Sequence, residues 1–89
     1  MGKKRNKLEI LMDILLVVFE SKDGVRKTRI MQSAYLDWRN FQKHFDFLVE
    51  NGFLNVTVNG TEKVYTISKK GKELLAKLIE LNRLLEKEI

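Results

Sequence analysis

Residues 51–68 read Asn51-Gly52-Phe53-Leu54-Asn55-Val56-Thr57-Val58-Asn59-Gly60-Thr61-Glu62-Lys63-Val64-Tyr65-Thr66-Ile67-Ser68, and the folding of this stretch decides the architecture. From Phe53 to Val58 the apolar residues roughly alternate and β-branched side chains dominate, which is the signature of a strand. Asn59-Gly60 follows, and that dipeptide is the strongest short-range hairpin signal because both residues tolerate positive φ. Val64-Tyr65-Thr66-Ile67 reads as the returning strand, with Thr61 and Glu62 assignable to either turn or strand. Upstream, Asn51-Gly52 ends a helix, since glycine enters the left-handed conformation without a Cβ clash. Downstream, Ser68 caps another. A β-hairpin therefore sits between two helices.

Working back from the hairpin, Asp37 supplies an N-cap for a helix reaching Asn51, whose inward stripe is Phe41, Phe45 and Leu48. Leu36 is the buried residue of the turn before it. Thr28 caps a short helix to Ser33 or Ala34 that buries Ile30 and Met31, and Val25 with its neighbours forms a very short strand. Leu8, Leu11, Met12, Leu15 and Phe19 recur at helical spacing and predict a first helix over about Lys7–Ser21, closed by Gly24. Ile10, Ile14 and Val17 widen its apolar arc beyond what one small core face needs, so part of that surface is expected to meet a second subunit.

Beyond Ser68 a fourth helix runs from about Lys69 towards the C-terminus, with Gly71 in its first turn, where low helix propensity costs least. Leu74, Leu78, Leu81 and Leu85 form a coiled-coil seam of about two heptads, flanked by Leu75, Ile79 and Leu84. The seam predicts a homodimer. Helix, helix, helix, hairpin, helix is the order of a winged helix-turn-helix: mostly α, with a β-hairpin wing and a C-terminal extension. The expected organisation is a basic arm over 1–7, a winged helix-turn-helix domain over 8–68 and a dimerisation helix over 69–89.

Composition narrows the partners. The 89 residues carry 17 Lys+Arg against 12 Asp+Glu, a formal charge of +5 and a pI near 9.6, which favours polyanions. No cysteine is present, so neither a disulfide framework nor a thiolate metal site is available. His44, the one histidine, reads as a surface or packing residue, because a metal needs further ligands. With no Gly-rich phosphate loop and no evident pair of catalytic carboxylates, the sequence points away from an enzyme and calls for no cofactor or metal. Lys3, Lys4, Arg5 and Lys7 ahead of the apolar run to Phe19 superficially resemble a secretory signal. Glu9 and Asp13 interrupt that run, Glu20-Ser21-Lys22-Asp23 offers no small-residue cleavage site, and a bilayer span needs ~20 residues. A cytoplasmic, nucleoid-associated protein without a membrane partner is the expectation.

Double-stranded DNA fits the element order best, since the third helix of such a fold presents its outer face to the major groove. That face carries Trp38, Arg39, Gln42, Lys43 and Asp46, with Asn40 and His44 towards its flanks. Arg39 suits guanine or phosphate, Gln42 suits adenine and Lys43 suits phosphate, whereas Asp46 repels phosphate. The N-terminal half of the helix is therefore the expected contact. Asn59 and Lys63 place the wing tip near the minor groove or the backbone, and Arg26, Lys27 and Arg29 surround the start of the second helix, where backbone amides favour an anion. Lys3, Lys4, Arg5 and Lys7 add salt-sensitive contacts. Trp38 reads equally as a DNA contact or as a core or dimer residue, and each cation alone reads equally as solvated surface. A protein–protein adaptor is the alternative, favoured by Trp38 and the apolar excess of the first and last helices.

The run Lys27-Thr28-Arg29-Ile30-Met31, then Leu36, then Phe45 to Leu54, resembles archaeal winged-helix DNA-binding proteins of about ten kilodaltons, as does Tyr65-Thr66-Ile67-Ser68-Lys69-Lys70-Gly71-Lys72-Glu73-Leu74 after the wing. The resemblance spans about Leu8 to Leu85. It implies a homodimer joined by an antiparallel coiled coil of the last helices, and duplex binding as a chromatin-associated protein or transcriptional regulator. The last helix is somewhat short for that group, and Glu88 occupies a seam position.

Overall fold

The computed structural model describes residues 6–87. Its elements are α1 (Lys7–Glu20), α2 (Lys27–Ser33), α3 (Trp38–Glu50), β1 (Leu54–Asn59), β2 (Glu62–Ile67) and α4 (Lys69–Lys87). The winged helix-turn-helix order read from the sequence is the order observed.

α1 begins with a capping box that sequence reading overlooked. The Asn6 side chain accepts from the Glu9 amide, and the Glu9 carboxylate accepts from the Asn6 amide. Two amides that the first turn leaves without carbonyls are satisfied at once. Lys7 opens the helix, as the apolar spacing predicts. Ile10, Leu11, Ile14, Leu15 and Val18 are buried, and α2, α3, β2 and α4 all pack on α1. Much of its wide apolar arc is thus used inside one chain, while Phe19 stays half exposed and Val17 half-buried. Ile10 and Ile14 are covered within one chain, because α1 is the central helix and a helix enclosed on several sides needs apolar residues around most of its circumference.

α2 starts two residues earlier than expected. Arg26 occupies the N-cap position without a side-chain bond, and Thr28 lies inside the helix, so Thr28 is not the cap. The chain turns into α3 through Tyr35, whose φ is +55°, a left-handed conformation rare for an aromatic residue. Asp37 caps α3 as expected, its carboxylate accepting from the Asn40 amide at 2.9 Å. Phe41, Phe45 and Leu48 are buried along the predicted stripe. At its end Phe53 N–H bonds to the Leu48 carbonyl and Gly52 N–H to that of Val49, with Gly52 at φ +79°. That pair of bonds is the Schellman closure.

β1 and β2 pair antiparallel from Leu54↔Ile67 to Asn59↔Glu62. Gly60 and Thr61 are therefore the two turn residues, and Asn59 belongs to the ladder. Positive φ falls on Gly60 but not on Thr61, the pattern of a type II′ turn. The expected short strand is a single bridge, in which Val25 exchanges both backbone bonds with Tyr65, at 3.0 and 2.8 Å.

The junction into α4 is dense. The Ser68 hydroxyl accepts from the Gly71 amide at 2.9 Å and donates to the Gly52 carbonyl at 2.6 Å. Lys70 Nζ donates to the Asn51 carbonyl at 2.8 Å. One capping serine so ties the end of α3 to the start of α4. Gly71 is buried against the wing base, and a Cβ built on it would overlap the Phe53 carbonyl oxygen.

The seam on α4 needs a correction. Leu78 is 5% exposed and belongs, with Leu75, to the protomer's own core, while Leu74 and Ile79 are half-buried against that core. α1 covers this side of the helix. The apolar residues α4 leaves open are Leu81, Leu84 and Leu85.

Candidate nucleic-acid interface

With Phe41, Phe45 and Leu48 inward, positions 39, 43, 46 and 50 fall on the opposite side of α3 at 100° per residue. Arg39 and Lys43 are exposed on the N-terminal half of that side, and Asp46 and Glu50 lie on the C-terminal half. The outer face therefore carries positive charge where the helix dipole is also positive, and negative charge beyond it. Phosphate is attracted to one half and repelled by the other.

The flanks of α3 are less open than its outer face. Gln42 is half-buried, its Nε2 donates to Asp46 Oδ1 at 2.7 Å, and its Oε1 is buried without a partner among the described residues. The buried Oε1 cannot accept from adenine in this arrangement, and the Nε2 bond ties Gln42 to Asp46. Asn40 is exposed, and its carbonyl accepts from His44 Nδ1 at 2.6 Å. A carbonyl oxygen has no proton to give, so Nδ1 carries it. His44 is 6% exposed and is a packing residue. Among the described residues no group of three or more His, Asp or Glu is placed to hold a metal.

Trp38 occupies a middle position: it tilts against Phe41 at 6.3 Å between ring centroids and remains 54% exposed. Lys27 Nζ sits 5.2 Å from the centroids of both Trp38 and Phe45. This cation–π contact joins α2 to α3 and takes Lys27 inward. Phe41 stacks on Phe45, and Phe45 meets Tyr65 edge-on at 4.8 Å. An aromatic line thus runs from the start of α3 to β2, and the Val25 bridge extends it to the chain entering α2. Such a line fixes the helix face relative to the wing.

At the wing, Arg26 pairs with Glu62 at 2.9 Å, both side chains being more than half exposed. Arg29 is exposed beside this pair, along a groove between α2 and the wing that Thr28, Gln32 and Val64 also line. Asn59 and Lys63 are exposed near the tip. Lys3, Lys4 and Arg5 lie outside the described residues. Lys7, read from the sequence both as the end of the basic arm and as the start of the first helix, is a structured cation: its Nζ stands 5.5 Å from the Phe47 ring, on a groove shared with Asn40, Lys43 and His44. The Asn6-x-x-Glu9 spacing is the signal that fixes where that helix begins.

Three helices, with the outer face of α3 open beside a hairpin wing, define a winged helix-turn-helix protein. The chain belongs to the winged helix-turn-helix family, whose pattern it matches over residues 4–86. Two proteins of Methanocaldococcus jannaschii are related to it in sequence. MJ0287 is 40% identical over 78 residues, covering 88% of this chain and 74% of its own length. MJ0290 is 39% identical over 82 residues, and this chain spans only 36% of its length. In structure the chain is similar to Sso10a-2, a DNA-binding protein from Sulfolobus solfataricus. The TM-score is 0.78 with 31% identity, over 93% of this chain and 84% of that one. No helix among the described residues is long and apolar enough to cross a membrane.

Proposed function

We propose that the chain binds double-stranded DNA as a homodimer, acting as a transcriptional regulator or chromatin-associated protein, with the N-terminal half of α3 in the major groove. The observation that carries this reading is the sorted outer face of α3, with Arg39 and Lys43 exposed at one end and the acids confined to the other. The similar protein Sso10a-2 is a DNA-binding protein, which supports it. In this reading Arg39 meets guanine or phosphate and Lys43 meets phosphate. Arg29 and Lys63 meet the backbone on either side, and Asn59 lies at the wing tip. Arg26 serves mainly to hold the wing through Glu62, and Lys27 to brace Trp38. Lys3, Lys4 and Arg5 add salt-sensitive contacts to phosphate. No catalytic step is assigned to any residue, and the chain acts in the nucleoid. Titration with a duplex of random sequence tests the proposal: binding that weakens with salt is expected, and no binding at low salt overturns it in favour of an adaptor docking through Trp38.

The dimer contact proposed is the free end of α4, where Leu81, Leu84 and Leu85 are 40%, 55% and 48% exposed. Leu74 lies at the inner end of this surface. Burying three half-open leucines from each chain contributes on the order of 1 kcal/mol per side chain before association costs. Leu81→Glu together with Leu85→Glu is expected to lower the mass seen by light scattering while leaving the helical signal intact. An undiminished mass contradicts this interface. Leu78→Lys is unsuitable for the purpose, since it buries a charge in the protomer core.

A further inference from the structure

The outer edge of the wing has the properties of a self-pairing strand. β2 is flanked on both sides, by β1 and by Val25, whereas among the described residues nothing pairs with the other edge of β1. Natural edge strands are usually blunted by lysine, proline or a bulge. β1 has none of these: Leu54-Asn55-Val56-Thr57-Val58-Asn59 is uncharged, and its register with β2 is unbroken. Val56 and Val58 remain 46% and 64% exposed.

The parity of the ladder shows which backbone groups are open. Tyr65 spends its N–H and C=O on Val25, so they point away from β1. Its register partner Val56 is therefore in a non-hydrogen-bonded pair, and such pairs alternate along an antiparallel ladder. Val58 shares that parity. The N–H and C=O of Val56 and Val58 consequently face the open edge, while those of Asn55, Thr57 and Asn59 face β2.

The sequence of that edge reads the same in both directions: Asn55-Val56-Thr57-Val58-Asn59 is a palindrome about Thr57. An antiparallel copy laid against it with a twofold axis at Thr57 sets Val56 against the partner's Val58, and each such pair exchanges both backbone bonds. Thr57 meets the partner's Thr57 and Asn55 meets the partner's Asn59, in non-hydrogen-bonded pairs. Every cross-strand pair is then like with like, Thr–Thr and β-branched pairs are favourable, and no charges face each other despite the chain's net +5.

We propose that the β1 edge is a second self-association surface, pairing two wings antiparallel about Thr57 into one continuous sheet. The occupant is a second copy of this chain, because register, bonding parity and side chains all become self-complementary at the same axis. If α4 also joins chains as proposed above, two different twofold contacts on one chain build an assembly larger than a dimer, closed where the two axes intersect and open where they do not. The larger assembly rests on that reading; the β1 pairing does not.

The chain has no cysteine, so single cysteines report the geometry directly. Opposed residues in a non-hydrogen-bonded pair have Cα atoms about 4.5 Å apart, within disulfide reach. Under mild oxidation without DNA, Thr57→Cys is expected to shift from one chain to two on a non-reducing gel. Asn55→Cys alone is expected to stay at one chain, and an equal mixture of Asn55→Cys with Asn59→Cys to cross-link. The same pattern is expected in the Leu81→Glu, Leu85→Glu background. Thr57→Cys remaining single, cross-linking no better than Asn55→Cys alone, or a mixture that fails to cross-link would overturn the proposal. Because DNA is absent, failure of the duplex-binding reading leaves these outcomes unchanged.

Discussion

Replacing Arg39 and Lys43 together by alanine is expected to weaken duplex binding about fifty- to hundredfold near 0.1 M salt, and to flatten the salt dependence by about two units of slope per chain. Both side chains stand on the outer face of α3, and both are exposed. Removing each cation forfeits the release of roughly one condensed counterion, worth nearly tenfold in affinity at that salt. Surface substitutions away from special contacts usually change stability by less than about 0.5 kcal/mol, so the loss reads as a binding effect. Glu50→Ala gives the opposite sign, since it removes a repulsive charge from the same face. Gel-shift or anisotropy titrations at several salt concentrations measure both quantities. Unchanged affinity in the double variant would remove α3 from the interface.

Gly71→Ala is expected to destabilise the domain by about 2–3 kcal/mol and to lower Tm by roughly 10–20 °C. The sign is what makes the experiment informative. Helix propensity alone favours alanine over glycine by up to about 1 kcal/mol. Packing opposes it: the added Cβ overlaps the Phe53 carbonyl oxygen and stands 2.8 Å from Ile67 Cγ1. The oxygen belongs to the backbone and accepts from Ser68 N–H, and the Ser68 hydroxyl donates to the neighbouring Gly52 carbonyl, so it has little freedom to retreat. Thermal unfolding followed by circular dichroism decides between the two. A raised Tm would mean that the α3–wing–α4 junction is looser than these contacts require.

Gly71 also shows where sequence reading stops. Its place in the first turn of α4 was legible, but not that it lies against the wing base, because spacing along one helix carries no information about the approach of another segment. The seam of α4 failed for the same reason. A period of three and four marks Leu74, Leu78, Leu81 and Leu85 as one stripe, yet the inner part of that stripe is spent on α1 and only the outer part is open. Most of the wide arc of α1 is likewise covered by four elements of the same chain, with Phe19 left half exposed. Local signals fared better. Asp37, Ser68 and Gly52 act where their chemistry places them, since caps and left-handed glycines are decided within a few residues. At the candidate interface Arg39 and Lys43 were legible from helical phase alone. The inward turn of Lys27, the Arg26–Glu62 pair and the Gln42–Asp46 bond were not, because each depends on how neighbouring side chains meet in space.

The most direct test of the central claim is the affinity of the full chain for a random-sequence duplex, measured across a range of salt. Arg29, Arg39, Lys43 and Lys63 are exposed on the proposed face. One phosphate for each gives a slope of log K against log salt of about −3.6 per chain, and steeper with the arm engaged. A steep fall of that order is the predicted result. A duplex that fails to bind at low salt, or binds with no dependence on salt, would contradict the account.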